Sequence, residues 1–264
     1  MSVTFVALGD STTLGMGDPR PDGGWRGFAA LLAEAFGPDT GYTNLAVSGA
    51  RAADVRHRQL SQALRLRPDL ASVIVGMNDT MRSDFDIVAM RDHILVTVGS
   101  LAAAGATPLT VRMHDHSRVF GLPGFLARPL WRRIRRLNAV YDEAYERFGG
   151  IRIDLDQQPW VWQRETWSID RLHPSESGHR RLAYGYARTL SAAGWPVVQM
   201  PSVERDGVVV PSTATDVAWL MTKGVPWVVR RGRDLVPWAA TMVMRETRVG
   251  ASPMESDMRA RQMP

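Results

Sequence analysis

The sequence predicts a three-layer α/β/α domain on a mostly parallel, five-stranded sheet, followed by a C-terminal helical extension. Three observations carry this prediction. Short apolar runs rich in β-forming residues recur between Thr4 and Leu155, bounded by turn signals as buried strands are. Longer segments of helical periodicity separate them. Glycine and proline mark most of the boundaries. Strand and helix in alternation demand parallel pairing, with crossover helices covering both faces of the sheet.

The elements follow in order. Thr4–Leu8 is the first strand, broken abruptly by Gly9-Asp10-Ser11. Trp25–Phe36 has helical periodicity and meets a stop at Gly37-Pro38. Tyr42–Ala46 is a short second strand. Ala52–Leu66 is helical, with Asp54 near its start and Pro68 just beyond its end. Leu70–Val75 is the third strand. Asp86–Ala104 is a long helix closed by Gly105, and Pro108–Met113 is the fourth strand. Pro129–Phe148 is a helix stopped by Gly149-Gly150; proline suits a first helical turn. Ile151–Leu155 is the fifth strand, and Ser175–Ala193 is a last helix ending at Gly194.

After Pro196 the character changes. Thr213–Met221 and Val225–Arg231 alternate apolar and polar residues, and Leu235–Met244 is apolar. The reading is a core domain over 1–195 and an extension over 196–264, packed on the domain or used in association. Trp219, Trp227 and Trp238 lie among Arg230, Arg231 and Arg233, a mixture that suits peripheral contact with an anionic membrane. An extra layer over the domain or a dimer contact is the other reading. Oligomeric state is not legible.

Composition narrows the class. A hydrophobic fraction of 45% supplies a sizeable core. No apolar stretch reaches the ~18 residues of a spanning helix. A strand beginning at about residue 4 leaves no room for a signal peptide. The chain has no cysteine, which excludes disulfides, thiolate metal sites and a cysteine nucleophile. The simplest expectation is a cytoplasmic protein. The net charge is +5, and Lys223 is the only lysine. Arg132-Arg133-Ile134-Arg135-Arg136 is the densest basic cluster; its helical setting reads as a solvated face, and no nucleic acid is expected.

In an open α/β sheet, ligands bind beyond the carboxyl ends of the strands. Ser11 follows the first strand, Gly49 the second and Asn78 the third. Asp170 and His173 follow the fifth strand within one turn. A serine hydroxyl needs a neighbouring base to become a nucleophile. His173 is the candidate base, and Asp170 is placed to orient it, or simply to cap its own turn. The backbone N–H of Ser11, that of Gly49 and the Asn78 amide are candidate donors to a developing oxyanion. Asn78 as a plain turn residue is the alternative. Asp10 and Asp79 read as structural braces that accept from backbone N–H groups.

Gly9-Asp10-Ser11, Gly49, Gly76-x-Asn78-Asp79 and Asp170-x-x-His173 occur in this order. Together they resemble the four blocks of the SGNH hydrolase family, the GDSL-type esterases and lipases. Threonine stands at position 12 where many members have leucine. The resemblance covers roughly the first 195 residues. It implies the family's flavodoxin-like fold, with Ser11, Asp170 and His173 catalytic and Ser11, Gly49 and Asn78 forming the oxyanion hole. It further implies cleavage of small-molecule or lipid esters through an acyl-enzyme, with no cofactor and no metal. Sugar deacetylases and acyltransferases share the same residues.

Other features stay outside these blocks. His114-Asp115-His116 looks like a metal motif but has no third ligand in view, so a pocket-lining or surface role is expected. His57, His93 and His179 sit in helical segments and read as solvated or capping. Trp160, Trp162 and Trp167 either wall an acyl pocket or pack their loop. A non-enzymatic lipid- or protein-binding module is the rival reading from another class.

Overall fold

Burial of both faces of the central apolar runs builds a single five-stranded sheet. The computed structural model describes residues 2–204 and residue 244. Among these residues the strands are β1 (Thr4–Gly9), β2 (Gly41–Asn44), β3 (Leu70–Ile74), β4 (Thr107–Arg112) and β5 (Ile151–Asp154). Their order is β2-β1-β3-β4-β5, and every pairing is parallel. Phe5 stands opposite Tyr42 on one side and Leu70 on the other. All of β3 is buried, as a central parallel strand requires.

The helices are α1 (Ser11–Leu14), α2 (Gly27–Glu34), α3 (Ala52–Asp54), α4 (Leu60–Leu66), α5 (Met77–Thr80), α6 (Ile87–Ala103), α7 (His116–Phe120), α8 (Gly124–Phe148) and α9 (Glu176–Ala192). One helical layer pairs α2 with α9, which rest on β2 and β5 respectively. The other sets α6 between α4 and α8, over β3 and β4. The core cluster runs through both layers, from Phe28 and Leu32 to Leu101 and Leu137.

Most predicted elements agree to within a residue or two, and the differences have local causes. Asp86 and Ser175 are N-caps rather than first helical residues, their side chains accepting from backbone N–H groups. The Asn44 Oδ1 accepts from the Ala46 N–H and ends β2 early. The helix expected from Pro129 begins five residues sooner, at Gly124, so the proline lies in its second turn. The carbonyl that Pro129 leaves without an amide partner belongs to Phe125, which is 59% exposed and reachable by water. The helix expected over Ala52–Leu66 contains a π-helical stretch, Val55–Gln59. The short helices α1, α5 and α7 were legible only as turns. The segments Thr213–Met221, Val225–Arg231 and Leu235–Met244, and the tryptophans and arginines of the expected membrane contact, lie outside the described residues, save Met244 itself.

Where the strands end, three buried side chains take over the pairing of the backbone. The β2 strand stops at Asn44, short of the end of β1. There Gln59 accepts from the Gly9 N–H at 2.9 Å and donates to its carbonyl at 2.9 Å. Past β3, the Tyr141 hydroxyl accepts from the Val75 N–H at 2.9 Å and lies 2.8 Å from the Val75 carbonyl. Past β4, Asn138 accepts from the Met113 N–H at 2.7 Å and donates to its carbonyl at 2.8 Å. A buried peptide group without a partner is costly, so each clamp maintains one piece of the sheet's carboxyl rim.

Tyr141→Phe keeps the ring and removes the hydroxyl, stranding the Val75 N–H. It is expected to destabilise the fold by about 2 kcal/mol, the cost of one buried unsatisfied group. Urea titration of both proteins checks this; equal midpoints would refute the clamp.

Candidate active site

The carboxyl rim of β1 turns directly into a helical turn. Asp10 is its N-cap, accepting from the Thr12 N–H at 3.0 Å, and Ser11 is its first residue. The Ser11 N–H is therefore one of the donors that a helix start leaves without an intrahelical acceptor. Gly15 closes α1 at φ 99°. A Cβ on Gly27 would stand 2.2 Å from the Gly15 Cα, so only glycines let the end of α1 meet the start of α2.

Asp170 and His173 lie on the irregular segment between β5 and α9. The His173 Nε2 is 2.8 Å from the Ser11 Oγ, across 162 residues of sequence. The His173 Nδ1 is 2.6 Å from Asp170 Oδ2. Because a carboxylate only accepts, Nδ1 carries the proton and Nε2 is left to accept from the serine hydroxyl. Asp170 Oδ1 also accepts from the N–H groups of Leu172 and His173, at 2.9 and 3.1 Å. Asp170 thus caps its turn and contacts the imidazole at once. Burial pushes its carboxyl up, but the His173 contact and the two N–H groups outweigh that and hold it below its usual range. Ser11 and His173 are buried.

Asn78 lies in α5, beyond the rim of β3, and is buried. Its Nδ2 donates to Asp10 Oδ2 at 3.2 Å and to the Ala50 carbonyl at 3.1 Å. These bonds tie it to the residue before Ser11 and to the residue after Gly49. Gly49 is exposed, at φ 81°, with open space where a Cβ would sit. The five expected residues therefore gather at one rim. Ser11, His173 and Asp170 do so through direct hydrogen bonds, Asn78 and Gly49 through Asp10 and Ala50. The two braces behave as expected. Asp10 caps α1, and Asp79 accepts from the Ala52 N–H at 3.1 Å and from Arg51 at 3.4 Å. Burial raises the Asp79 carboxyl despite those partners.

Several expectations are corrected. His114 and His116 do not line a surface; both are buried, and their rings bond each other at 2.8 Å. Among the described residues no group of three or more His, Cys, Asp or Glu is arranged to hold a metal. His179 is not solvated, but its Nδ1 does accept from a first-turn N–H at the start of α2. It is fully buried, stacked on Phe28, bonding the Met16 carbonyl at 2.9 Å and the Phe28 N–H at 3.2 Å. Arg133 is not simply solvated, because its guanidinium donates to the carbonyls of Thr80 and Arg82 and lies over Phe85. Of the three loop tryptophans, Trp167 packs rather than walls: it is buried and donates to the Val161 carbonyl at 2.7 Å. Sequence reasoning passed over Gln59, Asn138 and Tyr141. Polar groups on core-facing helical positions were the available signal.

Comparison with known proteins converges on one group. Residues 7–181 match the model of the GDSL-like lipase/acylhydrolase family. The acetylxylan esterase of Geobacillus stearothermophilus is 23% identical over 212 residues, 70% of this chain and 93% of that protein. Among solved structures, the psychrotrophic esterase EstA from Pseudoalteromonas sp. superposes with a TM-score of 0.57 at 17% identity, covering 73% of this chain and 98% of that one. The lipase/acylhydrolase from Enterococcus faecalis gives 0.57 at 20% identity, over 73% and 97%. These likenesses establish a shared α/β architecture.

The buried histidines generate a pH prediction. Burial pushes His116 and His179 down to about 4, and His114 well below its usual value. Between the ordinary histidine value of 6.5 and about 4, the unfolded chain binds protons that the folded chain refuses. Stability from these groups is complete above the unfolded value and is lost as pH falls through that window. The urea midpoint is expected to fall between pH 7 and pH 4.5, with a shallower slope in His179→Gln. A flat native profile would contradict it.

Proposed function

The chain belongs to the GDSL-like lipase/acylhydrolase family and is an ester-bond hydrolase, and we propose that it cleaves carboxylic esters through an acyl-enzyme formed on Ser11. The observation that carries this reading is the contact of 2.8 Å between the Ser11 Oγ and an imidazole whose other nitrogen meets a carboxylate at 2.6 Å.

In this reading His173 takes the Ser11 hydroxyl proton on Nε2 as Oγ bonds the ester carbonyl carbon. Asp170 holds the ring and stabilises the imidazolium. The carbonyl oxygen becomes an oxyanion, met by the N–H groups of Ser11 and Gly49 and by the Asn78 amide, which gives up its bond to the Ala50 carbonyl to turn one N–H toward it. The carbon–alkoxide bond breaks, and His173 returns its proton to the departing alcohol. Water then gives a proton to His173 and attacks the acyl carbon. The acid leaves, and the proton goes back to Ser11 Oγ. No step uses a metal or an organic cofactor. Residues 1–195 form the catalytic unit and 196–264 an extension to it. A narrower reading, removal of acetyl groups from a sugar, is favoured by the likeness to the acetylxylan esterase. Acyl transfer differs only in replacing water with another hydroxyl.

Ser11→Ala is expected to abolish hydrolysis of a p-nitrophenyl ester and labelling by a fluorophosphonate. Near-native turnover in that variant would refute the assignment. A series of esters of graded acyl length, beside an acetylated xylo-oligosaccharide, separates the acetyl reading from the broader one.

Loss of an oxyanion donor acts on the transition state. Asn78→Ala is therefore expected to lower kcat roughly 10²–10³-fold with little change in KM. A change confined to KM would assign Asn78 to substrate binding instead. His173→Ala is expected to cost more activity than Asp170→Asn, because the base has no substitute.

A further inference from the structure

The turn that carries Asp170 and His173 contains Arg171 at φ 52°, in the left-handed region that side chains with a Cβ avoid. Among the described non-glycine residues only Arg67 shares this, and Arg67 closes a helix. The neighbours of Arg171 in sequence hold part of the turn. Asp170 receives the N–H groups of Leu172 and His173, the Arg171 N–H donates to the Ser168 carbonyl at 3.0 Å, and the Ser168 N–H donates to the His173 carbonyl at 2.9 Å. The Arg171 carbonyl points elsewhere. It meets the His116 Nε2 at 2.9 Å, from the first residue of α7 and 55 residues away.

The protons of this contact are determined by elimination. A carbonyl only accepts, so the His116 Nε2 carries a proton. In the neutral ring the Nδ1 is then bare, and it lies 2.8 Å from the His114 Nε2. His114 therefore carries its own proton on Nε2. The His114 Nδ1 is left bare and buried, without a hydrogen-bond partner among the described residues. A proton there would add a buried charge, which the site disfavours. The rings have little freedom to turn. His116 packs edge-on to Phe120 and Trp167, with centroids 4.5 and 5.0 Å away, and His114 lies 5.0 Å from Trp167.

We propose that His116 is a positioning residue of this hydrolase: oriented by His114, it holds the carbonyl of the left-handed Arg171 and so fixes the turn that presents Asp170 and His173 to Ser11. The chain of donors runs one way, from His114 to His116 to the Arg171 carbonyl. It is anchored where β4 ends and α7 starts, so it ties the base-bearing loop to the sheet. The inference rests on the proposed function only where it concerns turnover.

Two amides separate this role from simple packing. Gln places its amide nitrogen about where His has Nε2, within reach of the Arg171 carbonyl. Asn places it nearer Nδ1, out of reach. His116→Gln is expected to keep kcat within about 5-fold of native, whereas His116→Asn lowers it by about 10–100-fold with KM changed less than about 2-fold. The proton resonance of the His173 Nδ1–H, shifted by its bond to Asp170, should persist in the Gln protein and broaden in the Asn protein. Equal behaviour of the two amides in folded protein overturns the proposal. In the native protein, long-range 1H–15N spectra near neutral pH should show both His114 and His116 as neutral Nε2–H tautomers. An Nδ1–H tautomer at either position also overturns it. The spectra require no turnover, so they stand apart from the Ser11→Ala test, whose failure would sink only the catalytic reading.

Discussion

Everything at the carboxyl edge of this sheet answers to one constraint: strands that diverge still carry peptide groups that need partners. Beyond the ends of β2, β3 and β4 the regular ladder stops, although a few backbone contacts, such as that of the Val47 N–H with the Gly9 carbonyl, persist. Gln59, Tyr141 and Asn138 each satisfy both the N–H and the carbonyl of a single rim residue, Gly9, Val75 and Met113 respectively. Unsatisfied, such groups would each cost about 1–3 kcal/mol. With them satisfied, the turns that leave the rim start from defined points. Gly9 is two residues before Ser11, Val75 three before Asn78, and Met113 three before His116.

The π-helical stretch belongs to the same device. An α-helix through Ala52–Leu66 would carry its side chains around in even steps. The wider turn over Val55–Gln59 coincides with the one polar residue of that stretch that must reach inward. Gln59 is buried and spends both ends of its amide on Gly9. A local defect in the helix thus serves the backbone that delivers the serine, in keeping with the tendency of π-bulges to sit at functional sites.

A second layer of contacts joins the turns to one another. Asp10 uses one carboxylate oxygen for the Thr12 N–H and the other for the Asn78 amide. Asn78 in turn reaches Ala50. Displacement of any one of these turns would disturb the others. The loop bearing Asp170 and His173 is the exception, since it comes from beyond β5, at the edge of the sheet. Its ties include the Ser11 contact, the internal bonds of its own turn, the Arg164 bond to the Ser168 carbonyl and the His116 contact.

The sequence by itself determined the alternation of strands and helices, because hydrophobic periodicity is a local property that survives without neighbours. It also determined that Ser11, Gly49, Asn78, Asp170 and His173 would lie beyond strand ends, since a parallel sheet delivers every such loop to one rim. What it could not determine was anything that depends on which strand lies beside which. The order β2-β1-β3-β4-β5 sets His114 and His116, read from sequence as pocket-lining or surface residues, against the turn of Arg171. The same packing buries His179 on Phe28 and turns Asn138 and Tyr141 from helical polar residues into clamps. A buried polar group is stable only with a partner, and, the contact between His114 and His116 aside, the partners here are 25 to 163 residues away in sequence. Tertiary structure alone brings them within hydrogen-bonding distance.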